Sequence, residues 1–172
     1  MKPCGGCMKV RRAIINRAPA RIAAPLARVF LPTITTAEAV VQETRTWVGV
    51  PFLHHGRGRK GVDCWGVPSV VLSALGALQD GFSDTDYPRH PLQDQCEARI
   101  RQFCTPLPNA TPGCLVALRL ARTVTHVAIY TDTDTLIHAT ERQGLVIEHG
   151  FRGMWRTRFA PTFWALPGVR YG

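Results

Sequence analysis

A cysteine and two histidines are the residues of this chain best suited to nucleophilic catalysis. Cys64 lies in the run from Gly61 to Gly66, GVDCWG, at the predicted start of a helix. His126 and His138 lie downstream, in two short β-rich runs. The positive end of a helix and an imidazole partner both favour the charged form of a thiol, which is the nucleophilic form. The three residues therefore predict an activated cysteine nucleophile.

Each of the three residues has a defined role in this hypothesis. His126 takes the proton of Cys64, and His138 accepts a hydrogen bond from the other ring nitrogen of His126 and fixes its tautomer. The thiolate attacks an amide carbonyl, and backbone N–H groups at the helix start stabilise the oxyanion. Two alternatives stay open: Cys64 is a buried core cysteine beside two ordinary strand histidines, or the three residues bind zinc, for which a structural site needs a fourth ligand.

The shared site imposes a condition on the hairpin between the two histidines. Side chains alternate between the faces of a strand, so the two rings share a face only if the loop has an odd number of residues. A two-residue loop at Asp132-Thr133 would put the rings on opposite faces. The catalytic hypothesis therefore predicts an odd loop, such as residues 132–134.

The elements around these residues predict an α+β fold. Helical spacing of apolar residues predicts helices over residues 36–48, 64–75 and around 92–103, the first with a capping box from Thr35 to Glu38 and the second ended by Gly76. Prolines at 106, 108 and 112 predict a break. Short β-branched or aromatic runs then predict strands over residues 114–120, 124–131, 135–139, 144–148 and 162–166. Helices followed by strands favour N-terminal helices packed on a small antiparallel sheet.

The charge divides the chain into an arm and a domain. Seven of the 21 basic residues and none of the 12 acidic residues lie in residues 1–37, whereas the remainder is nearly balanced. We therefore expect an extended basic arm over residues 1–35 and a single domain over residues 36–172. Basic residues interrupt any secretory h-region in the arm, and no apolar run is long enough for a membrane span. The basic residues of the arm are not interleaved with aromatic residues, so the sequence does not indicate a specific nucleic-acid partner.

The residues around Cys64, His126 and His138, in this order, resemble the NlpC/P60 family of papain-like cysteine peptidases. In that family a cysteine begins a helix in a G-x-D-C-x-G setting, a histidine follows on a strand, and a polar residue follows on the next strand. The resemblance covers roughly residues 36–170. It implies Cys64 as nucleophile, His126 as base and His138 as the residue that orients the base, with no cofactor required. The implied substrate is the stem peptide of peptidoglycan, cut between a D-γ-glutamyl unit and a diamino acid.

A finer resemblance is to NlpC/P60 proteins of long-tailed phages. It is carried by residues 47–56 (WVGVPFLHHG), by 86–89 (DYPR) and by 146–149 (VIEH) followed by Trp155. It implies a virion protein at the tail tip that acts at the host cell wall or periplasm during DNA entry. The arm would then dock on other tail-tip (hub) proteins.

The resemblance also implies a substrate cleft that involves Phe52, Asp63 and Trp65. Phe52 stands where cell-wall members often have a tyrosine, and Trp65 is bulkier than the usual serine. Pro68 lies four residues into the nucleophile helix, where it removes a backbone donor. These departures keep open a structural tail-tip component with a degenerate or occluded cleft. A cellular cysteine amidase with a transit-like arm is a third hypothesis.

The arm carries one further motif, Cys4-Gly5-Gly6-Cys7. Thiolates spaced C-x-x-C provide half of a metal site, which suits zinc or an iron–sulfur cluster completed by other cysteines. The resemblance to phage tail tips favours such a cluster. The alternative is a pair of inert thiols.

Overall fold

The computed structural model describes residues 34–78, 84–89, 95–120 and 123–172. The predicted arm, residues 1–35, lies outside these ranges apart from its last two positions. The proposed metal ligands Cys4 and Cys7 also lie outside them. None of the helices in the described ranges is long and apolar enough to cross a membrane.

Helix α1, Ala37–Arg45, is shorter at both ends than predicted. Its N-cap is Thr36, whose hydroxyl accepts the N–H of Ala39 at 3.1 Å. The expectation that Thr35 is the cap is therefore wrong by one residue. Thr35 and Thr36 instead form strand β1, which pairs in parallel with β10, Val169–Arg170. α1 buries Val40, Val41 and Thr44, so its apolar stripe faces the core as the spacing predicts.

Helix α2, Gly66–Ala74, ends as the sequence predicts. Gly76 has φ +68° and donates its N–H to Ser73 at 3.0 Å, while Ala77 donates to Leu72 at 2.8 Å. These two bonds form a Schellman motif, which favours glycine because an L side chain is strained at positive φ. Helix α3, Gln95–Phe103, buries Ile100.

Two short strands, β2 (Arg57–Gly58) and β3 (Gly61–Val62), form a small hairpin before α2. The five predicted strands all exist: β5 Leu115–Leu118, β6 His126–Tyr130, β7 Thr135–Thr140, β8 Leu145–Gly150 and β9 Thr162–Ala165.

The proline-rich break contains a further strand that was not predicted, β4, Thr105–Leu107. With the five predicted strands it forms a six-stranded antiparallel sheet in the order β4-β9-β5-β6-β7-β8. Pro106 is tolerated there because β4 is an edge strand that pairs only with β9.

The sheet separates two apolar cores. On one face, inward residues such as Val127 and Ile129 of β6 pack with the three helices. On the other face, residues such as Ala128 and Leu136 pack with Phe151 and with aromatic side chains from residues 155–171. Both faces of β6 and β7 are therefore covered, which is why these strands read as nearly continuous apolar runs.

The hairpin between β6 and β7 has the odd loop that a shared histidine site requires. Tyr130 pairs with Leu136, and Thr131 donates its N–H to the Thr135 carbonyl at 3.0 Å. Three residues, 132–134, remain in the loop, and Asp134 takes φ +57°, as expected for a three-residue hairpin. His126 and His138 consequently lie on the same face of the sheet.

Candidate active site

Cys64 lies in the turn that leads into helix α2, two residues before the first helical residue, Gly66. The Asp63 carboxylate accepts the N–H of Gly66 at 2.7 Å, and the Asp63 carbonyl accepts the N–H of Val67 at 3.1 Å. Asp63 therefore caps the helix, and helical hydrogen bonding begins one residue before Cys64. Pro68 has no N–H to donate to the Cys64 carbonyl, which explains why the regular helix starts only at Gly66.

The thiol of Cys64 is protonated in this surrounding. Burial, and to a smaller extent the neighbouring Asp63 carboxylate, raises the pKa of Cys64 to about 12. The backbone N–H groups of Val127 and Trp65 are directed at the sulfur and act in the opposite direction. The structure thus holds a neutral thiol, with two N–H donors already in place for the thiolate.

His126 and His138 form the hydrogen-bonded pair that the sequence predicts. Nε2 of His126 bonds Nδ1 of His138, and the two ring centroids lie 4.7 Å apart with planes inclined by 78°. His138 is only 2% exposed. Burial lowers the pKa of His126 to about 4, and burial together with the neighbouring histidines lowers the pKa of His138. Both rings are therefore neutral at ordinary pH.

The expected hydrogen bond from Cys64 to His126 is not among those that the described residues make. The sulfur instead faces the N–H of Val127, the residue after His126 on β6. Cys64 therefore lies beside the start of β6 without contacting the His126 ring. By alternation along β6, the His126 side chain shares the sheet face of Ala128, whereas Val127 faces the helices. The ring nitrogen of His126 that would accept the thiol proton is Nδ1, because Nε2 is already paired with His138.

Asp63 is the centre of a buried polar cluster behind the nucleophile. Its Oδ2 accepts the N–H of His55 at 2.7 Å and the hydroxyl of Tyr87 at 2.6 Å, and its Oδ1 accepts Arg57 Nη1 at 3.1 Å. Arg57 also donates to the Tyr87 hydroxyl at 2.7 Å. The Asp63 side chain is only 4% exposed. Its carboxylate is thus committed to holding the loop, the helix start and residues 84–89 together.

A cleft of about 610 Å³ lies over Cys64. Its walls come from the loop before α2, from residues 84–89, from α3 and from the start of β6. The three predicted substrate-binding residues, Phe52, Asp63 and Trp65, all line it. Clefts of this size accommodate small ligands or a short peptide segment.

Several residues of this region were not predicted as site residues. His54 and His55 line the cleft, and the ring of His149 bonds His138. The runs 47–56, 86–89 and 146–149 contain these histidines and Tyr87, but they indicated a biological setting and not a site. Arg57 lies outside every predicted motif. His149 had one further signal, because it follows His138 on the next strand at a spacing that allows a shared face.

The described residues contain no group of three histidine, cysteine or acidic side chains placed to hold a metal ion. This finding concerns Cys64, His126 and His138, for which zinc binding was an alternative. It does not bear on Cys4 and Cys7, which lie outside the described ranges.

We expect the stability of the domain to fall as the pH drops from about 6.5 to about 4. The folded chain keeps His126 neutral down to a pKa of about 4, whereas in the unfolded chain it titrates near 6.5, so the unfolded state binds the extra proton in this window. Stability is full above 6.5 and is lost toward 4, by about 3 kcal/mol from His126 alone. Urea unfolding at a series of pH values measures this loss. A His126→Gln variant should show a flatter profile, and equal slopes would contradict the prediction.

Comparisons with known proteins agree with this fold. The model of the NlpC/P60 family matches residues 49–162, and the chain belongs to this family. The NlpC/p60 domain of the peptidoglycan hydrolase SagA is 22% identical, with a TM-score of 0.50 over 76% of this chain and 98% of that one. An NlpC/P60 family protein of Bacillus cereus is 17% identical, with a TM-score of 0.56 over 80% of this chain and 41% of that one.

A third relative differs in activity. RipD of Mycobacterium tuberculosis, described as a non-catalytic NlpC/p60 protein adapted to peptidoglycan binding, is 16% identical, with a TM-score of 0.50 over 74% of this chain and 95% of that one. At these identities the structural likeness shows the fold alone. A search of curated proteins found no match. The chain therefore carries a peptidoglycan hydrolase-like domain of a family that also contains non-catalytic members.

Proposed function

We propose that the protein is a cysteine endopeptidase that cleaves the stem peptides of peptidoglycan. The observation that carries this proposal is the placement of Cys64 in the turn that leads into α2, where it lines a cleft and lies beside the strand that begins with His126. Two proteins of similar fold support this substrate class: SagA is described as a peptidoglycan hydrolase, and RipD as adapted to peptidoglycan binding.

The reaction begins with proton transfer from the Cys64 thiol to Nδ1 of His126. The resulting thiolate attacks the amide carbonyl carbon, and the carbonyl oxygen takes the negative charge. When the tetrahedral intermediate collapses, the C–N bond breaks and His126 returns its proton to the leaving amine. Water, deprotonated by the same nitrogen, then hydrolyses the thioester and regenerates the thiol. His138 holds the His126 ring in place throughout.

In this mechanism the binding of substrate activates the thiol. A pKa of about 12 for Cys64 and about 4 for His126 favours the neutral pair. A thiolate–imidazolium pair gains from mutual attraction and from the N–H donors of Val127 and Trp65 once both groups are charged. The neutral resting site is consistent with a peptidase that becomes active only when the cleft is filled.

Digestion of purified peptidoglycan tests the proposal. The wild-type protein should release soluble stem-peptide fragments with new amino termini while leaving the glycan strands intact, as mass spectrometry of the products would show. Glycan fragments instead of peptides, or no soluble product from any peptidoglycan chemotype, would contradict it.

A second candidate function is that of a structural component with an inactive cleft. Two observations favour it: the protonated Cys64 makes no hydrogen bond to His126 within the described residues, and the family includes the non-catalytic RipD. Wild-type protein that binds peptidoglycan without cutting it would favour this candidate.

We further propose that the protein belongs to the tail tip of a long-tailed phage and acts at the host cell wall. The phage-like runs at residues 47–56, 86–89 and 146–149 and the acid-free basic arm support this setting. The arm would lie on other hub proteins, with Cys4 and Cys7 binding zinc or an iron–sulfur cluster shared with a partner.

Deleting residues 1–33, which removes the arm but spares Thr35 of β1, should leave the domain folded and prevent its incorporation into tails. The reason is that the described domain has its own two cores, whereas the deleted segment has four prolines and no acidic residue and therefore suits docking on other chains. Circular dichroism of the truncated protein measures whether it folds, and the protein content of purified tails measures whether it is incorporated. Normal incorporation of the truncated protein would contradict the assembly role.

A further inference from the structure

His149 extends the histidine pair into a chain of three rings on three consecutive strands. Nε2 of His138 lies 2.9 Å from Nε2 of His149, and Nδ1 of His149 lies 3.0 Å from the Gly150 carbonyl oxygen. The pairing of β7 with β8 places Leu136 opposite His149, so the His149 side chain shares the sheet face of His138. The chain runs from Gly150 to His126, whose neighbour Val127 directs its backbone N–H at the Cys64 sulfur.

The Gly150 carbonyl fixes the direction of every hydrogen bond in this chain. A carbonyl oxygen can only accept, so Nδ1 of His149 carries the proton and Nε2 of the neutral ring accepts. Nε2 of His138 must then donate, which leaves Nδ1 of His138 as an acceptor. Nε2 of His126 donates to it in turn. The lone pair of His126 consequently lies on Nδ1, the nitrogen required to take the Cys64 proton.

The surroundings of the chain protect this arrangement. The ring of Trp155 covers His138 and His149, with its centroid 5.3 Å from that of His138 and 4.5 Å from that of His149. His138 is 2% exposed, so water has little access to reverse its tautomer. Burial keeps the pKa values of His126 and His138 low, so that both rings remain neutral and have a definite tautomer.

We propose that His149 is a positioning residue that sets the tautomers of His138 and His126 and so keeps the base at Nδ1 of His126. The inference rests on the proposed peptidase function only for its consequence in catalysis. The tautomers themselves are a property of the folded protein. Without an acceptor at position 149, His138 is free to carry its proton on Nδ1, which would place the His126 proton on Nδ1, the nitrogen that acts as base in the proposed mechanism.

Imidazole ¹⁵N NMR at neutral pH tests the tautomers directly. The wild-type protein should show Nε2–H for His126 and His138 and Nδ1–H for His149. A His149→Leu variant should show a mixed or reversed tautomer at His126. A His149→Gln variant offers a side-chain oxygen to the same N–H of His138 and should restore the wild-type pattern. Met154→Ala, at an exposed position one residue before Trp155, is the matched control and should change nothing.

Kinetics on peptidoglycan fragments provide the second readout. His149→Leu should lower kcat by about tenfold or more with little change in KM, since a wrong tautomer removes the base without removing the cleft. His149→Gln should recover most of that loss. An Nδ1–H tautomer of His126 in the wild type, or an unchanged His126 tautomer in His149→Leu, would overturn the inference. Expected tautomers in a protein without hydrolytic activity would support the inference and refute the proposed function.

Discussion

Replacing Cys64 with alanine is expected to abolish the release of stem peptides from peptidoglycan, by about 10³-fold or more. Cys64 lines the cleft, and its sulfur is the only nucleophile that the mechanism uses. Alanine removes the sulfur and leaves the cap at Asp63 and the helix that follows it in place. Initial rates of peptide release from purified peptidoglycan, measured for wild type and variant at equal concentration, give the effect.

A second cysteine of the same cleft provides the matched control. Cys96 lies on α3 and also lines the cleft, and burial raises its pKa to about 11. Cys96→Ala should keep most of the activity, because Cys96 has no part in the proposed reaction. Equal loss in both variants would show that packing of the cleft matters and not the nucleophile. Unchanged activity in Cys64→Ala would refute the proposed mechanism.

Replacing Asp63 with alanine is expected to lower the free energy of unfolding by about 3–5 kcal/mol, the usual cost of breaking a buried ion pair on one side. The Arg57 side chain is 15% exposed and would lose its carboxylate partner. The hydroxyl of Tyr87 and the N–H groups of His55 and Gly66 would lose their acceptor at the same time. Urea or thermal unfolding of the variant measures the loss.

An exposed ion pair of the same domain shows what a carboxylate contributes without burial. Asp132 accepts from Arg45 at 2.7 Å, and their side chains are 52% and 28% exposed. Asp132→Ala should therefore cost less than about 1 kcal/mol. If Asp63→Ala is no more destabilising than Asp132→Ala, the polar cluster does not hold the loop and the helix start together. In that case substrate binding becomes the better explanation of the role of the Asp63 carboxylate in the cleft.

Local patterns in the sequence predicted the elements that carry the site. The spacing of Val67, Val70 and Val71 with Gly76 at the end predicted the nucleophile helix, and β-branched runs predicted the strands of His126 and His138. Alternation along a strand then required an odd hairpin loop, and residues 132–134 form one. These predictions succeeded because each depends on neighbours in the chain, where helix and strand periods act directly.

The residues that the sequence did not reveal depend on contacts between distant segments. Arg57 and Tyr87 meet Asp63 across 6 and 24 positions of the chain, and no periodic pattern joins them. His149 was missed because the strand was predicted to end at residue 148, whereas β8 continues to Gly150. Strand ends are set by tertiary pairing, so a histidine near the end of a strand is easily assigned to the loop that follows.

The parallel pairing of β1 with β10 has a mechanical consequence. The chain enters the domain at Thr35 and leaves it after Arg170, and because the two strands run in the same direction these points lie at opposite ends of the pairing. A force applied between the two ends would load the hydrogen bonds along the strands, in shear, so that they would have to break together. If only one end of the chain is attached to another body, no force acts between β1 and β10. Their hydrogen bonds then bear no load, and a pull on the N-terminal segment does not stretch the core.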